Sequence, residues 1–421
     1  MVHLAVLAMA ASAFGQSTQE DAVRSVREHP KFTAAMAALD RDHGRMVDEI
    51  VTLNEIPAPP FMEEARGAAF LDRLRAVGLA EVERDAVGNV MGLWKGDGTG
   101  PLIVLAAHLD TVFPEGTDVK VRRDGTRLAA PGIGDDTRSL AVLLAIIRAM
   151  DRAGIQTRSD ILFVGDVGEE GLGDLRGVKY LFQKGKYRDR IAIFISMDGA
   201  GHGNDIVHGA VGSKRYRIKF KGPGGHSFGA FGLVSPAFAM GNAMHKFSKI
   251  TVPSSPKTTF NVGVVGGGTS VNSIPFESWM DVDMRSKDPV ALLSLEQEFL
   301  ALVQEAANEE NAARSTARGG IDVDIKVIGD RPSGQTPRDS NLVLTAAAAV
   351  QSVGMTPRFS FSSTDSNLPI SMGIPAITID SGGTGGRAHA LDEWIDVEKS
   401  ESLLGIESAL TLLLTLAGIR L

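Results

Sequence analysis

Four short runs of apolar, β-forming residues constrain this chain most: Leu102–Ala107, Ile161–Val167, Ile191–Met197 and Ala376–Asp380. Each is nearly continuous in apolar character, the pattern of a strand covered on both faces. Helical patterns lie between them, notably at Leu140–Ala153 and Asn341–Val353. That alternation predicts an α/β fold with a mostly parallel open sheet and helices on both faces. Residues of catalytic type follow each run directly: His108, Glu169, Asp198 and the Gly382-Gly383 turn. Open α/β sheets bind ligands at the carboxyl ends of their strands. Four separate stretches are therefore expected to meet in one crevice.

From about Ser213 to Gly329 the pattern changes. Arg215–Lys221 alternates, Pro236–Ile250 reads as a helix, and Thr258–Val265 and Ser278–Arg285 read as strands. Val290–Ala313 is a long helix rich in Ala, Leu and Glu, and Ile321–Ile328 alternates again. The order β-α-β-β-α-β describes a small two-layer α+β domain. The sheet pattern resumes afterwards. The expected organisation is thus a first domain of residues 16–212 and 330–421, which carries the strand-end crevice, interrupted by an inserted domain of residues 213–329.

At the start, Leu4–Ala13 is a short apolar, small-residue run, and Ala13-Phe14-Gly15 offers small residues for cleavage before Gln16. Residues 1–15 read as a signal peptide, although no Lys or Arg precedes the run. The expected location is periplasmic or secreted, or cytoplasmic if this run is kept. No later segment reaches the ~20 apolar residues of a membrane helix, so no stable membrane span is expected. Val397–Ala417 reads as an amphipathic helix.

Charge and cysteine usage narrow the chemistry. With 43 basic and 51 acidic residues the net charge is −8, so the chain brings no basic excess to phosphates and no nucleic-acid partner is expected. There is no cysteine, hence no thiolate ligand and no cysteine nucleophile. Any metal must be held by His, Asp and Glu, the donors zinc accepts when thiolate is lacking. The candidates are His108-Leu109-Asp110, Asp135-Asp136 in a glycine-rich turn, Glu169-Glu170, Asp198 and His389. Taken singly each is weak. His-x-Asp is an ordinary strand-end pair, Glu-Glu a solvated surface pair, and Asp-Asp in a turn a helix N-cap. Together, at the ends of one sheet, two His and several carboxylates suit a two-metal site with a shared carboxylate. The adjacent glutamates then divide, one binding metal and the other serving as general base for the attacking water. No H-E-x-x-H or G-x-S-x-G motif is present, and the glycine turns complete neither a dinucleotide fingerprint nor a P-loop.

The stretches Ala107-His108-Leu109-Asp110-Thr111-Val112, Gly134-Asp135-Asp136, Gly168-Glu169-Glu170-Gly171, Ser196-Met197-Asp198-Gly199 and Arg387-Ala388-His389 fall in one order along the chain. In the inserted segment lie Gly224-Gly225-His226-Ser227, Asn272-Ser273-Ile274-Pro275 and Asp283-Met284-Arg285, and later Ser363-Thr364-Asp365-Ser366-Asn367. These motifs resemble the co-catalytic zinc peptidases and amidohydrolases that include peptidase T, glutamate carboxypeptidase, acetylornithine deacetylase and aminoacylase. The resemblance implies that Asp135 bridges two zinc ions, with Co2+ or Mn2+ as possible substitutes. His108, Asp198, Glu170 and His389 would complete their shells. It implies Glu169 as the general base and Asp110 as the residue orienting His108 through its free ring nitrogen. His226 would stabilise the oxyanion, reaching a neighbouring subunit's site, with Asn272, Arg285 and Gly383 at the substrate. A cis peptide is implied between Asp135 and Asp136, and a homodimer through the inserted lid and dimerisation domain. One departure is Thr137-Arg138, where many relatives carry Lys after the Asp pair. The implied activity is hydrolysis of small peptides, as by a tripeptidase, aminopeptidase or carboxypeptidase. An N-acyl amino acid amidohydrolase with the same site is the near alternative, and a non-catalytic peptide-binding relative the one of another class.

Overall fold

A computed structural model describes residues 18–420. The expected signal segment lies outside them. The chain falls into two compact units, one ending at Ala210 and resuming at Gln335, the other Val211–Gly334. The sequence put these breaks after residues 212 and 329. The strands Gly212–Lys221 and Asp322–Arg331 run past those points and carry the boundary with them.

The first unit is built on a central sheet. Its strands are β1 (Ala80–Arg84), β2 (Val90–Trp94), β3 (Leu102–His108), β4 (Ile161–Asp166), β5 (Ile191–Met197), β6 (Asp205–Ala210), β7 (Arg358–Ser362) and β8 (Ala376–Ile379), besides the two-residue strand Gly334–Gln335 next to β6. They lie in the order β1-β2-β4-β3-β5-β8-β6, with β7 paired to β6. The middle four, β4-β3-β5-β8, are parallel and coincide with the four apolar runs. Antiparallel strands flank them on both sides. Alternate residues of the middle strands enter two cores. Ile103, Leu105, Phe163, Ile195 and Ile377 pack with the helices Pro30–Asn54, Arg138–Arg152, Asn341–Ser352 and Lys399–Ala417. Leu102, Val104, Leu162, Val164 and Phe194 pack on the other face with Val178, Leu181 and Phe182 of helix Arg176–Gln183. Burial on both faces is why these strands show no polar alternation.

Helix Lys399–Ala417 is long and apolar enough to cross a membrane, but most of it is buried inside this unit, where its apolar residues serve the core. Strand β3 sits between β4 and β5, so the crossovers on either side of β4 reverse direction about it. Such a switch point opens a crevice at the carboxyl ends of the strands.

The second unit is a four-stranded antiparallel sheet in the order Thr258–Gly267, Glu277–Ser286, Gly212–Lys221, Asp322–Arg331. Helices Pro236–Phe247 and Pro289–Ala313 complete the order β-α-β-β-α-β. Residues of Glu277–Ser286 alternate between buried and half-buried, as in a sheet with one covered face. Phe220, Met280 and Met284 from the sheet meet Phe247, Phe299 and Val303 from the helices in one core.

Candidate metal centre and active site

Five chain segments of the first unit bring their side chains together at the carboxyl ends of the parallel strands. His108 is the last residue of β3, Glu169 and Glu170 follow β4, and Asp198 follows β5. Asp135 comes from the loop before helix Arg138–Arg152, and His389 from the hairpin joining Thr384–Gly386 to Trp394–Asp396. Asp135 stands at the centre. Its Oδ1 lies 2.9 Å from His108 Nε2 and its Oδ2 3.1 Å from His389 Nε2. His389 Nε2 is also 3.0 Å from Glu170 Oε1, and His108 Nε2 is 4.0 Å from Asp198 Oδ1. The carboxylate thus gives one oxygen to each imidazole. The peptide between Asp135 and Asp136 is cis, as the resemblance implied.

Backbone hydrogen bonds hold these groups in place. Asp110 meets the free ring nitrogen of His108, and it does so with its main chain rather than its carboxylate. His108 Nδ1 is bonded to the Asp110 carbonyl oxygen at 3.0 Å, and the nearest carboxylate oxygen is 3.9 Å away. A carbonyl only accepts, so Nδ1 carries the proton and Nε2 turns towards Asp135. The Asp110 carboxylate instead accepts from three successive N–H groups, those of Gly168 (2.8 Å), Glu169 (3.1 Å) and Glu170 (2.9 Å). It therefore fixes the glutamate pair. Asp136 accepts from the N–H of His108 at 3.0 Å and of Gly199 at 3.2 Å, tying the ends of β3 and β5 to the Asp135 loop.

The site is short of positive charge. Burial pushes Asp136 and Asp198 well above the ordinary carboxylate range and takes Glu170 up to about 7. Burial acts on Asp135 in the same sense, but hydrogen bonds to His108 and His389 outweigh it and hold that carboxyl below its usual value. Hydrogen bonds to Asp135 and Glu170 raise His389 to about 10. Burial disfavours the His108 cation, yet the carboxylates of Asp136 and Asp135 lift it well above the ordinary imidazole value. Buried carboxylates of this density call for cations. One donor atom each from His108, Asp135 and Glu170 lies within 4.8 Å of the others, and the same holds for His108, Asp136 and Asp198. Two imidazoles and several carboxylates, without thiolate, form a donor set that fits Zn2+, Co2+ or Mn2+.

Residues 104–414 match peptidase family M20/M25/M40. The chain belongs to that family. Among its relatives is succinyl-diaminopimelate desuccinylase of Corynebacterium glutamicum, 24% identical over 368 residues, which cover 84% of this chain and 92% of the relative. The fold is that of aminopeptidase PepT from Bacillus cereus, with TM-score 0.70 at 22% identity over 89% of this chain and 99% of that one. The Bacillus subtilis YxeP protein, a dinuclear metal-binding peptidase of family M20, aligns at TM-score 0.63 and 18% identity over 89% of this chain and 98% of that one. This M20/M25/M40 protein is accordingly a metal-dependent hydrolase of the peptidase and amidohydrolase kind.

Three of the remaining expected residues belong to the second unit. His226 and Asn272 share one ribbon of the second unit, where Gly225–His226 pairs with Ser273–Ile274 and Ser227 N–H donates to the Asn272 carbonyl at 2.9 Å. His226 Nδ1 accepts from the N–H of Phe228 and of Gly229. The proton of the neutral ring then sits on Nε2. Arg285 lies on strand Glu277–Ser286, with its Nε donating to Asp283 at 2.8 Å. Gly383 is buried with φ +72°, and an added Cβ would stand 2.8 Å from Arg138 Nη2. Only its backbone is left to offer a ligand.

Two features escaped the sequence reading. Glu393 is a buried carboxylate to which no motif points. Asp166, ending β4, and Asp365 are buried carboxyls whose oxygens meet no hydrogen-bond donor among the described residues, and each lies in the field of neighbouring carboxylates. Burial raises both, Asp166 to about 7. The folded state therefore keeps a proton that the unfolded chain releases near pH 4. Stability from this pair is full in acid and is lost as pH rises to about 7. Asp365→Asn removes one of these carboxyls, and with it the cost of ionising that group in a buried site. Its thermal midpoint is expected to exceed that of the wild type at pH 8 by about 2–4 °C, the response to about 1 kcal/mol, and to show no such gain at pH 4. An equal difference at both pH values would count against the retained proton.

Proposed function

We propose that this chain hydrolyses the amide bonds of small peptides at a centre holding two zinc ions. The observation that carries the reading is Asp135 placed between His108 and His389 with one oxygen towards each. On this reading His108, 4.0 Å from Asp198, would serve one ion, and His389, 3.0 Å from Glu170, the other. Two cations bound there would polarise the scissile carbonyl and make an attacking water more acidic. Glu169 takes the proton of that water and passes it to the leaving amine. It suits the task because it is buried, follows β4 and has its N–H held by Asp110. The same reading gives His226 the oxyanion and Asn272 and Arg285 the polar groups of the substrate; the His226 tautomer is the one such a donor needs. The desuccinylase relative favours N-acyl amino acids as a second substrate class.

The test is release of amino acids from a panel of di- and tripeptides and N-acyl amino acids, with metal counted. Glu169→Ala is expected to keep about two ions per chain and lose turnover by at least about 100-fold. Full activity in that variant would overturn the assignment of the base, and a metal-loaded wild type inert on the whole panel would overturn the hydrolytic reading.

We also propose that two copies pair through the second unit. Strand Thr258–Gly267 is an edge of its sheet, and an edge strand leaves one row of backbone groups unpaired. Val264 and Val265 on that strand are half exposed, and nearby in sequence Val271 and Phe276 are exposed too. Sedimentation at micromolar concentration is expected to give a dimer, and a monomer would refute the pairing. Export to the periplasm or medium rests on the Leu4–Ala13 run and the small residues before Gln16. N-terminal sequencing of the mature protein is expected to begin at Gln16, and a mature chain starting at Met1 would overturn this route.

A further inference from the structure

We infer that Glu393 is a positioning residue of the metal centre, a buried carboxylate that sets the Asp135 loop against the loop of His389. The inference rests on the metal-centre reading above. Glu393 stands four residues after His389 and is 1% exposed. Its Oε2 accepts from the N–H of Gly132 at 2.8 Å. Its Oε1 accepts from the N–H of Gly134 at 2.7 Å and of Asp135 at 2.9 Å. Its main chain joins the same two loops: the Ala130 N–H donates to the Glu393 carbonyl, and the Glu393 N–H to the Ala390 carbonyl, both at 3.0 Å. The turn is shaped around this side chain. Gly132 has φ +76°, and a Cβ added at Gly134 would stand 3.1 Å from Glu393 Oε1.

The consequence follows from Asp135. Its backbone N–H is held by Glu393, and its two oxygens reach His108 and His389. The loop that brings His389 to the site also carries the acceptor that fixes its carboxylate partner. Glu393 acts through backbone donors, so its effect should appear in how tightly metal is held. Supporting groups of this kind change metal affinity by about 10–100-fold.

Glu393→Gln is the discriminating change. The glutamine oxygen can still accept from Gly134 and Asp135, but its amide then faces the Gly132 N–H, donor against donor. Glu393→Asp keeps the charge and withdraws it by one methylene. Each folded, metal-free protein is titrated with Zn2+ against a competing chelator, and metal is counted after gel filtration. The wild type is expected to keep about two ions per chain. Glu393→Gln is expected to bind zinc about 10–100-fold more weakly and to lose the ion on the His389 side first. Its turnover should return in excess zinc, because every ligand is intact. A merely structural role would lower the unfolding midpoint and leave the zinc affinity of the folded fraction unchanged. Wild-type affinity and count in both folded variants overturn the inference and leave the metal centre standing. A wild type that binds no zinc overturns both. If Glu393→Gln does not fold, Gly134→Ala, which pushes on Oε1, is the milder variant. Weakened zinc binding there supports the inference and unchanged binding overturns it.

Discussion

Too much negative charge is gathered at one end of four parallel strands for the chain to leave it uncompensated. Asp135, Asp136, Glu169, Glu170 and Asp198 converge on two imidazoles, and burial raises several of the carboxyls because the ionised form has lost its water. A fold that places such groups here pays in stability unless cations enter. The same donors, imidazole and carboxylate without thiolate, suit divalent ions such as Zn2+, Co2+ and Mn2+. The concentration of charge and the metal dependence of the family are one fact seen twice.

What keeps the arrangement from relaxing is the backbone. Asp110 holds the N–H groups of Gly168, Glu169 and Glu170, Asp136 holds those of His108 and Gly199, and Glu393 holds those of Gly132, Gly134 and Asp135. Arg66 supplies the opposite sign. It is fully buried and donates to the carbonyls of Ile56, Leu109 and Asn54, so the chain just past β3 is gripped from below as well. Charge-assisted bonds of this kind are the stronger class of hydrogen bond, and loops tied by them lose the freedom that would misplace a ligand.

The sequence disclosed what depends on periodicity and residue type. Four apolar runs became the four parallel strands because a strand buried on both faces has no polar alternation to hide it. The inserted β-α-β-β-α-β unit was visible because its strands do alternate. The ligand residues were visible because imidazole and carboxylate followed the runs. Glu393 and the closeness of Asp166 to Asp365 were not legible in the same way. Each depends on a pairing far apart along the chain: Glu393 bonds residues about 260 positions away. Asp110 was singled out as the partner of the free ring nitrogen of His108 and is that partner, but a residue-type argument cannot tell a carbonyl from a carboxylate as the acceptor.

The two carboxylates that hold ligand loops differ in what they join. Asp110 and the glutamate pair follow adjacent strands β3 and β4, so the sheet itself already sets their spacing and the carboxylate only trims it. Asp135 and His389 have no such shared strand. One precedes a helix, and the other sits in a hairpin of a small separate sheet formed with Arg127–Ala129 and Arg122–Asp124. Side-chain and main-chain bonds from Glu393 bridge these two loops where the central sheet cannot. The half of the centre that includes His389, whose side chain is 55% exposed, therefore depends more on individual hydrogen bonds than the half built on β3 and β5. If two ions bind as proposed, unequal affinity follows from that asymmetry.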